Sequence, residues 1–192
     1  MSLRIAVFAR YPTPGRAKTR LIPALGADGA AALHRRMVER TLTAVRASSL
    51  HFELRVTGAP PAAFREWLGP VAAVDQGAGG LGERLARAGP PYPTIFIGAD
   101  APDLRPEHLR AAADALACTR AVIGPAEDGG YWLLGLAYPV AGVFDGVDWG
   151  TGAVFAQTLA RLRAADIEPV VLPALADLDR PEDLPRWPGL TA

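Results

Sequence analysis

The sequence predicts an α/β protein: a doubly wound, three-layer α/β/α sandwich on a mostly parallel sheet with some antiparallel pairing. Short, continuously apolar, β-rich runs recur along the chain, segments of helical periodicity separate most of them, and one pair is joined by a turn too short to hold a helix. The first two observations belong together. Parallel neighbours need crossover connections, and strands covered on both faces read as unbroken apolar runs.

The runs occupy residues 3–9, 52–57, 71–74, 94–97, 121–123, 131–136 and 168–172. Between the first two, residues 30–47 carry Leu33, Met37, Val38, Leu42 and Val45 at helical spacing, with Arg35, Arg36, Glu39 and Arg40 mostly opposite. That is the pattern of an amphipathic crossover helix. Shorter helices are expected at 62–68, 81–88, 107–117 and 152–165, with Thr151 available to cap the last and Pro106 suited to a first helical turn. Residues 124–130 leave no room for a helix, so the strands they join should pair antiparallel. No repeat, low-complexity tract or linker divides the chain, which reads as a single domain over residues 1–192.

Composition narrows the function classes. Half of the residues are hydrophobic and the formal net charge is zero, which gives no general attraction to nucleic acid or to an anionic membrane. No apolar run is long enough to span a bilayer. Met1 to Arg4 lead straight into the first run without a signal-peptide pattern, so a cytoplasmic protein is expected, and an oligomer is compatible with the sequence. Cys118, at the end of an apolar helix, is expected as a packed thiol. His34, His51 and His108 lack metal-ligand spacing and are assigned no catalytic role. Neither a Gly-x-Ser-x-Gly elbow nor a Walker phosphate loop occurs, which argues against a hydrolase triad and a P-loop NTPase.

The strongest chemical signal follows the first strand. The loop Arg10-Tyr11-Pro12-Thr13-Pro14-Gly15-Arg16-Ala17-Lys18-Thr19-Arg20 places four cations and Gly15 at the carboxyl edge of a sheet, where open α/β folds bind ligands. A phosphate site is the functional reading; a solvated basic loop is the bland one. Residues 94–97 then run into Asp100, a carboxylate at a strand's carboxyl end, able to hold Mg²⁺ or Mn²⁺ against phosphate oxygens or else to turn the chain. Asp103, three residues before Pro106, reads as a turn or cap. In Glu127-Asp128-Gly129-Gly130-Tyr131 the glycines make a hairpin, and that turn also brings Asp128 to the sheet edge, suited to an acceptor hydroxyl or a general-base role.

Near the carboxyl end, Asp177 and Asp179 alternate, so an extended segment presents both on one face and one of them can be a second metal ligand. Asp183 sits in the first turn of a proline-started helix, where acids complement the helix dipole. Gly79-Gly80-Leu81-Gly82-Glu83-Arg84 offers backbone, through Gly82, and a cation, Arg84, to a base or ribose. A flexible loop with a Glu83–Arg87 surface pair is the alternative. Trp149 either walls an acceptor pocket together with Gly129 and Gly130 or packs as a core aromatic.

Taken together, residues 9–21, Ile97-Gly98-Ala99-Asp100-Ala101-Pro102, residues 124–131 and Asp177-Leu178-Asp179-Arg180-Pro181-Glu182-Asp183-Leu184 resemble one family across nearly the whole chain. It is an uncharacterised bacterial family of glycosyltransferase-A-like proteins, some named radical-SAM/selenodomain-associated transferases, within the nucleotide-diphospho-sugar transferase superfamily. The Lys-Thr-Arg-Leu loop is similar to that of 2-phospholactate guanylyltransferase, and the carboxyl-terminal motif to those of molybdenum-cofactor guanylyltransferases and CMP-sugar synthetases. The resemblance implies that Lys18 and Arg20 bind donor phosphates, Asp100 a divalent metal and Asp179 supplies its second carboxylate.

The expected function is a metal-dependent transferase on a nucleoside-diphosphate-activated donor, passing a glycosyl group to a small acceptor. In that reaction Lys18 and Arg20 neutralise the leaving group and Asp128 orients or deprotonates the acceptor. The alternative is nucleotidyl transfer from a nucleoside triphosphate with release of pyrophosphate, in which Arg10 and Arg16 weigh more. A non-catalytic nucleotide-binding module is the third reading.

Overall fold

The computed structural model describes residues 3–190. One sheet holds seven strands: β1 (Arg4–Arg10), β2 (His51–Thr57), β3 (Ala73–Asp75), β4 (Thr94–Ile97), β5 (Ala121–Pro125), β6 (Tyr131–Leu136) and β7 (Val170–Val171). Their spatial order is β3-β2-β1-β4-β6-β5-β7. β1 runs parallel to β2 and β4, β2 to β3, and β5 to β7. β6 is antiparallel to both its neighbours, β4 and β5. The turn at 126–130 therefore reverses one strand, as the short connection demands.

Side-chain alternation divides the sheet into two faces. Ile5, Val7 and Ala9 of β1 join a core with Leu54, Val56, Ile95 and Ile97, covered by Val38, Leu42 and Val45 of α1 (Ile22–Ala47), Phe64 of α2 (Pro61–Leu68) and Leu109 and Ala112 of α4 (Pro106–Cys118). Ala6, Phe96, Ile123, Leu134 and Leu136 point the other way, under Leu85 of α3 (Leu81–Ala88) and Leu162 of α5 (Val154–Ala164). A third cluster packs Leu21, Leu33 and Met37 against Leu178, with Leu184, Trp187 and Leu190 laid over it, so the carboxyl-terminal arm closes on the start of α1.

Several local expectations need correction. α1 begins at Ile22, eight residues before the expected start, and breaks at Gly26, whose φ of 70° and ψ of 170° are not helical. Thr151 does not cap α5. The helix starts after Ala153, and the Thr151 hydroxyl instead donates to the Asp148 carbonyl at 2.7 Å. Cys118 is exposed, because the last turn of α4 carries it past the covered face. Asp103 lies in the expected turn, closed by Leu104 N on the Ala101 carbonyl, but does not cap α4; its carboxylate accepts from the Trp187 indole at 3.1 Å and pins the carboxyl-terminal arm. Glu83 and Arg87 bond to Gly80 N and to the Gln76 and Ala78 carbonyls, not to each other. Asp183 meets its expectation, accepting from the amides of Asp179 and Arg180 at the first turn of a 3-10 segment, Pro181–Arg186.

At the edge away from the loops, Arg4 is 5% exposed and donates to the carbonyls of Ala88 (2.6 Å), Gly89 (3.0 Å) and Pro90 (2.6 Å), and to Glu53. It ties β1 to the segment entering β4. Arg4→Met orphans those acceptors, and a loss of about 3 kcal/mol in unfolding free energy is expected by urea titration.

Candidate functional site

Because β1, β2, β4, β5 and β7 share one direction, their carboxyl ends meet on one edge, and reversed β6 brings its amino end there too. Every segment singled out for chemistry arrives at this edge. The loop after β1 is anchored where it leaves: Tyr11 packs edge-on against Phe64 at 5.3 Å and Trp67 at 5.9 Å, and its amide donates to the Thr57 carbonyl. A turn follows, with Gly15 at φ +76° and the amides of Arg16 and Ala17 donating to the Thr13 carbonyl.

Lys18 comes next in the left-handed region, at φ 47° and ψ 47°, a conformation costly for a long side chain and held only where surroundings enforce it. What enforces it is visible. The Lys18 side chain is 4% exposed, and its ammonium lies 2.6 Å from Asp100 Oδ1 and 3.5 Å from Asp179 Oδ1 while donating to the Leu178 carbonyl at 2.5 Å. Arg20 pairs with the second oxygen of Asp179. The segment carrying Asp179 is fixed by Leu178 N, which donates to the Asp100 carbonyl at 2.8 Å. Burial alone would lower the Lys18 ammonium, but Asp100 and then Asp179 outweigh it and hold it above the usual lysine value. Desolvation would raise Asp100; the Lys18 charge holds it below the usual carboxylate range.

Above this bridge opens a cavity of about 620 Å³ whose wall includes Arg10, Arg16, Lys18, Arg20 and Arg84, with Asp100 and Asp179 at its floor. Gly15 and Gly82 are not among its lining residues. Gly82 packs instead: a Cβ there would stand 2.5 Å from the Phe144 carbonyl and 3.1 Å from the Trp149 indole nitrogen. Arg84 is aimed by bonds to the Gly79 carbonyl (2.9 Å) and to Gln76 Oε1 (3.3 Å).

On the far side of Asp100 lie two smaller cavities of about 210 and 300 Å³, which share Asp100, Asp128, Gly130, Tyr131 and Trp132. Trp149 lines the larger, stacked edge-on to Tyr131 at 6.4 Å, and Asp177 and Asp179 line the smaller. Asp128 Oδ1 accepts from the Gly130 amide at 2.8 Å, so the turn orients this carboxylate. Gly129, at φ +87°, lines neither; it seats the turn against Gly152, where a Cβ would fall 2.2 Å from the carbonyl oxygen. Burial, reinforced by the charge of Asp128, pushes the Asp177 carboxyl up to about 6.

Two lining residues were not read as functional from sequence. His34, 7% exposed, lies on the wall of the large cavity and donates from Nε2 to the Arg10 carbonyl at 3.0 Å, which leaves Nδ1 as acceptor. Burial lowers its proton affinity below that of an ordinary histidine. Gln76, 6% exposed at the end of β3, aims Arg84. A single apolar-face His and a lone Gln carry no spacing signal, so only tertiary contact identifies them. Among the described residues no group of three His, Cys, Asp or Glu side chains is placed to hold a metal ion. Asp100 and Asp179, the two carboxylates expected to ligate a divalent cation, both contact the Lys18 ammonium, and Mg²⁺ is bound by one or two carboxylates plus substrate phosphates in many sites. No helix among the described residues is long and apolar enough to cross a membrane.

A family model described as an uncharacterized protein conserved in bacteria (DUF2064) matches residues 40–151. No curated protein matches the chain. Among solved structures, a provisionally named nucleotide-diphospho-sugar transferase from Desulfovibrio desulfuricans G20 is 32% identical, with a TM-score of 0.84 over 100% of this chain and 97% of that one. The manganese complex of Rv0371c from Mycobacterium tuberculosis H37Rv is 21% identical, TM-score 0.58, covering 97% of each chain. A 4-diphosphocytidyl-2C-methyl-D-erythritol synthase from Anaerococcus prevotii DSM 20548 is 11% identical, TM-score 0.64, covering 96% of this chain and 93% of that one. The last two are likenesses of fold.

The packing assigned to Gly82 is open to test. Gly82→Ala should cost about 2 kcal/mol of stability, because the methyl group meets a backbone carbonyl that cannot yield. Gly15→Ala has open space around its Cβ and should cost only the strain of a positive φ, about 1 kcal/mol. Chemical denaturation of the two variants side by side checks the order.

Proposed function

The chain belongs to the bacterial DUF2064 family and has the nucleotide-diphospho-sugar transferase fold, and from that premise we propose that it is a metal-dependent transferase acting on a nucleotide-activated donor. The observation that carries the reading is the buried Lys18 ammonium, which touches both Asp100 and Asp179 at the floor of a cavity walled by five cationic side chains.

In this reading Arg10, Arg16, Lys18, Arg20 and Arg84 receive the donor's phosphates, and Asp100 and Asp179 hold Mg²⁺ or Mn²⁺. The ion, when bound, supplies Lewis-acid polarisation of the phosphate oxygens. Lys18 bridges the two carboxylates on the wall it shares with the arginines, and from there its charge would answer the negative charge that grows on the leaving group. Asp128, oriented by the Gly130 amide, accepts the proton of the acceptor hydroxyl. The acceptor oxygen then bonds to the donor's anomeric carbon, the bond from that carbon to the β-phosphate oxygen breaks, and its electrons leave on the nucleoside diphosphate. Gly130 and Trp149 border the acceptor, with Gly129 setting the turn.

One observation favours a second form of the reaction. Arg10, Arg16 and Arg84 have no carboxylate partner among the described residues, and this surplus of positive charge suits a triphosphate better than a diphosphate. The attacked atom is then the α-phosphorus, and pyrophosphate leaves.

Nucleoside diphosphate sugars and nucleoside triphosphates, each with and without Mn²⁺, separate the two by thermal shift. A saturating true donor should raise the melting temperature by several degrees, and only with metal. Stabilisation by triphosphates alone removes glycosyl transfer. Asp100→Ala and Asp179→Ala should abolish the metal-dependent part of the shift and lower turnover by about 10²-fold or more. Unchanged metal response in both variants overturns the reading. Arg16→Ala should weaken triphosphates more than diphosphate sugars, measured by titration calorimetry.

A further inference from the structure

Lys18 is the only lysine in the chain; every other Lys or Arg position is arginine. The two side chains are not equivalent. A guanidinium is a broad planar fork, whereas an ammonium is a compact point charge on a flexible four-carbon stem, the nearest side-chain counterpart of a small metal cation. This one stands against an oxygen of each acid, 2.6 Å from Asp100 Oδ1 and 3.5 Å from Asp179 Oδ1. Those are the carboxylates that the transferase reading gives to a divalent ion. Their exposure differs from that of the lysine: the Lys18 side chain is covered, while Asp100 is 58% exposed and Asp179 partly so, and both line the large cavity. An incoming cation can therefore reach the acids from solvent.

Resting on the transferase reading, we propose that Lys18 is a resident counter-ion that holds the metal's place between Asp100 and Asp179 and yields it only when donor phosphates arrive. Two cations cannot share the same oxygens. A divalent ion in contact with Asp100 Oδ1 would stand within a few ångströms of the ammonium, where their repulsion is large. Lys18 moved off the acids would keep only the neutral Leu178 carbonyl, and a buried charge without a counter-charge is costly. Phosphate oxygens in the cavity remove that cost, because Lys18 lines the same wall as Arg10, Arg16 and Arg84 and its stem can turn without the backbone moving. Metal and phosphates thus favour each other's binding, each by the same factor. Arg20 adds little to this guard, since its side chain is half-exposed and pairs with the other oxygen of Asp179.

Electron paramagnetic resonance of free Mn²⁺, titrated into the full chain without nucleotide, measures the competition. Lys18→Met should bind Mn²⁺ at least about tenfold tighter than the wild type, as removal of a unit charge at contact distance allows, and Asp100→Asn in the same chain should cancel the gain. Lys18→Gln serves as a second variant should Lys18→Met fail to fold. Arg16→Gln removes a cation from the same wall that pairs with neither acid, and should change the affinity by less than about threefold. Equal or weaker Mn²⁺ binding without the lysine, or an equal gain from Arg16→Gln, overturns the proposal. The single lysine is also its own reporter. In protein labelled with carbon-13 lysine, Mg²⁺ alone should leave the Lys18 side-chain resonance in place, and Mg²⁺ with GTP or UDP-glucose, whichever binds, should move it. A resonance that moves with Mg²⁺ alone, or that stays while a nucleotide binds, overturns the proposal as well. Failure of every triphosphate and diphosphate sugar to bind ends the transferase reading instead, and the Mn²⁺ titration then judges the place of Lys18 by itself.

Discussion

A single buried ammonium organises the working edge of this protein. Lys18 is nearly free of solvent, and a lysine so placed needs its charge answered or it deprotonates. Asp100 from the end of β4, Asp179 from the carboxyl-terminal segment and the Leu178 carbonyl answer it together. Three stretches of chain far apart in sequence are thereby locked to one point. The left-handed backbone at Lys18 is the cost of aiming that side chain inward, and Leu21, wholly buried just beyond it, holds the strained turn in place.

The sheet explains why those stretches can meet. Parallel strands end on one side, so the loops after β1 and β4 are neighbours without any long excursion. β7 extends beside β5 and hands the chain to an isolated bridge between Ala126 and Leu175, which steers residues 177–179 across the same edge. The hydrophobic staple of Leu178, Leu33 and Met37 then fixes the depth at which Asp179 arrives. Polar geometry at the site is thus set by apolar packing just behind it.

Much of this was legible in the sequence because the signals were strong and local. Continuous apolar runs located all seven strands, and 94–97 and 131–136 match to the residue, since buried parallel or central strands leave no ambiguity of period. Cationic residues after one strand and an acid after another marked Lys18 and Asp100, while the alternation of Asp177 and Asp179 left two candidates and only the family resemblance singled out Asp179. What could not be read depended on distant contact. The early start of α1 follows from Leu21 and Leu25 packing against the carboxyl-terminal arm, and the true partner of Asp103 is an indole 84 residues away. His34 and Gln76 belong to the same class: residues whose function comes from what they orient.

The lone reversed strand has an evolutionary corollary. β4 separates β1 from β6, so the turn bearing Asp128 and the basic loop are built on different strands and stabilised by different neighbours. Changes in the first need not disturb the second. On the transferase reading, a lineage can therefore diversify the molecule that receives the transferred group while keeping the loop that binds the donor, which gives a physical basis for the breadth of chemistries one such scaffold supports.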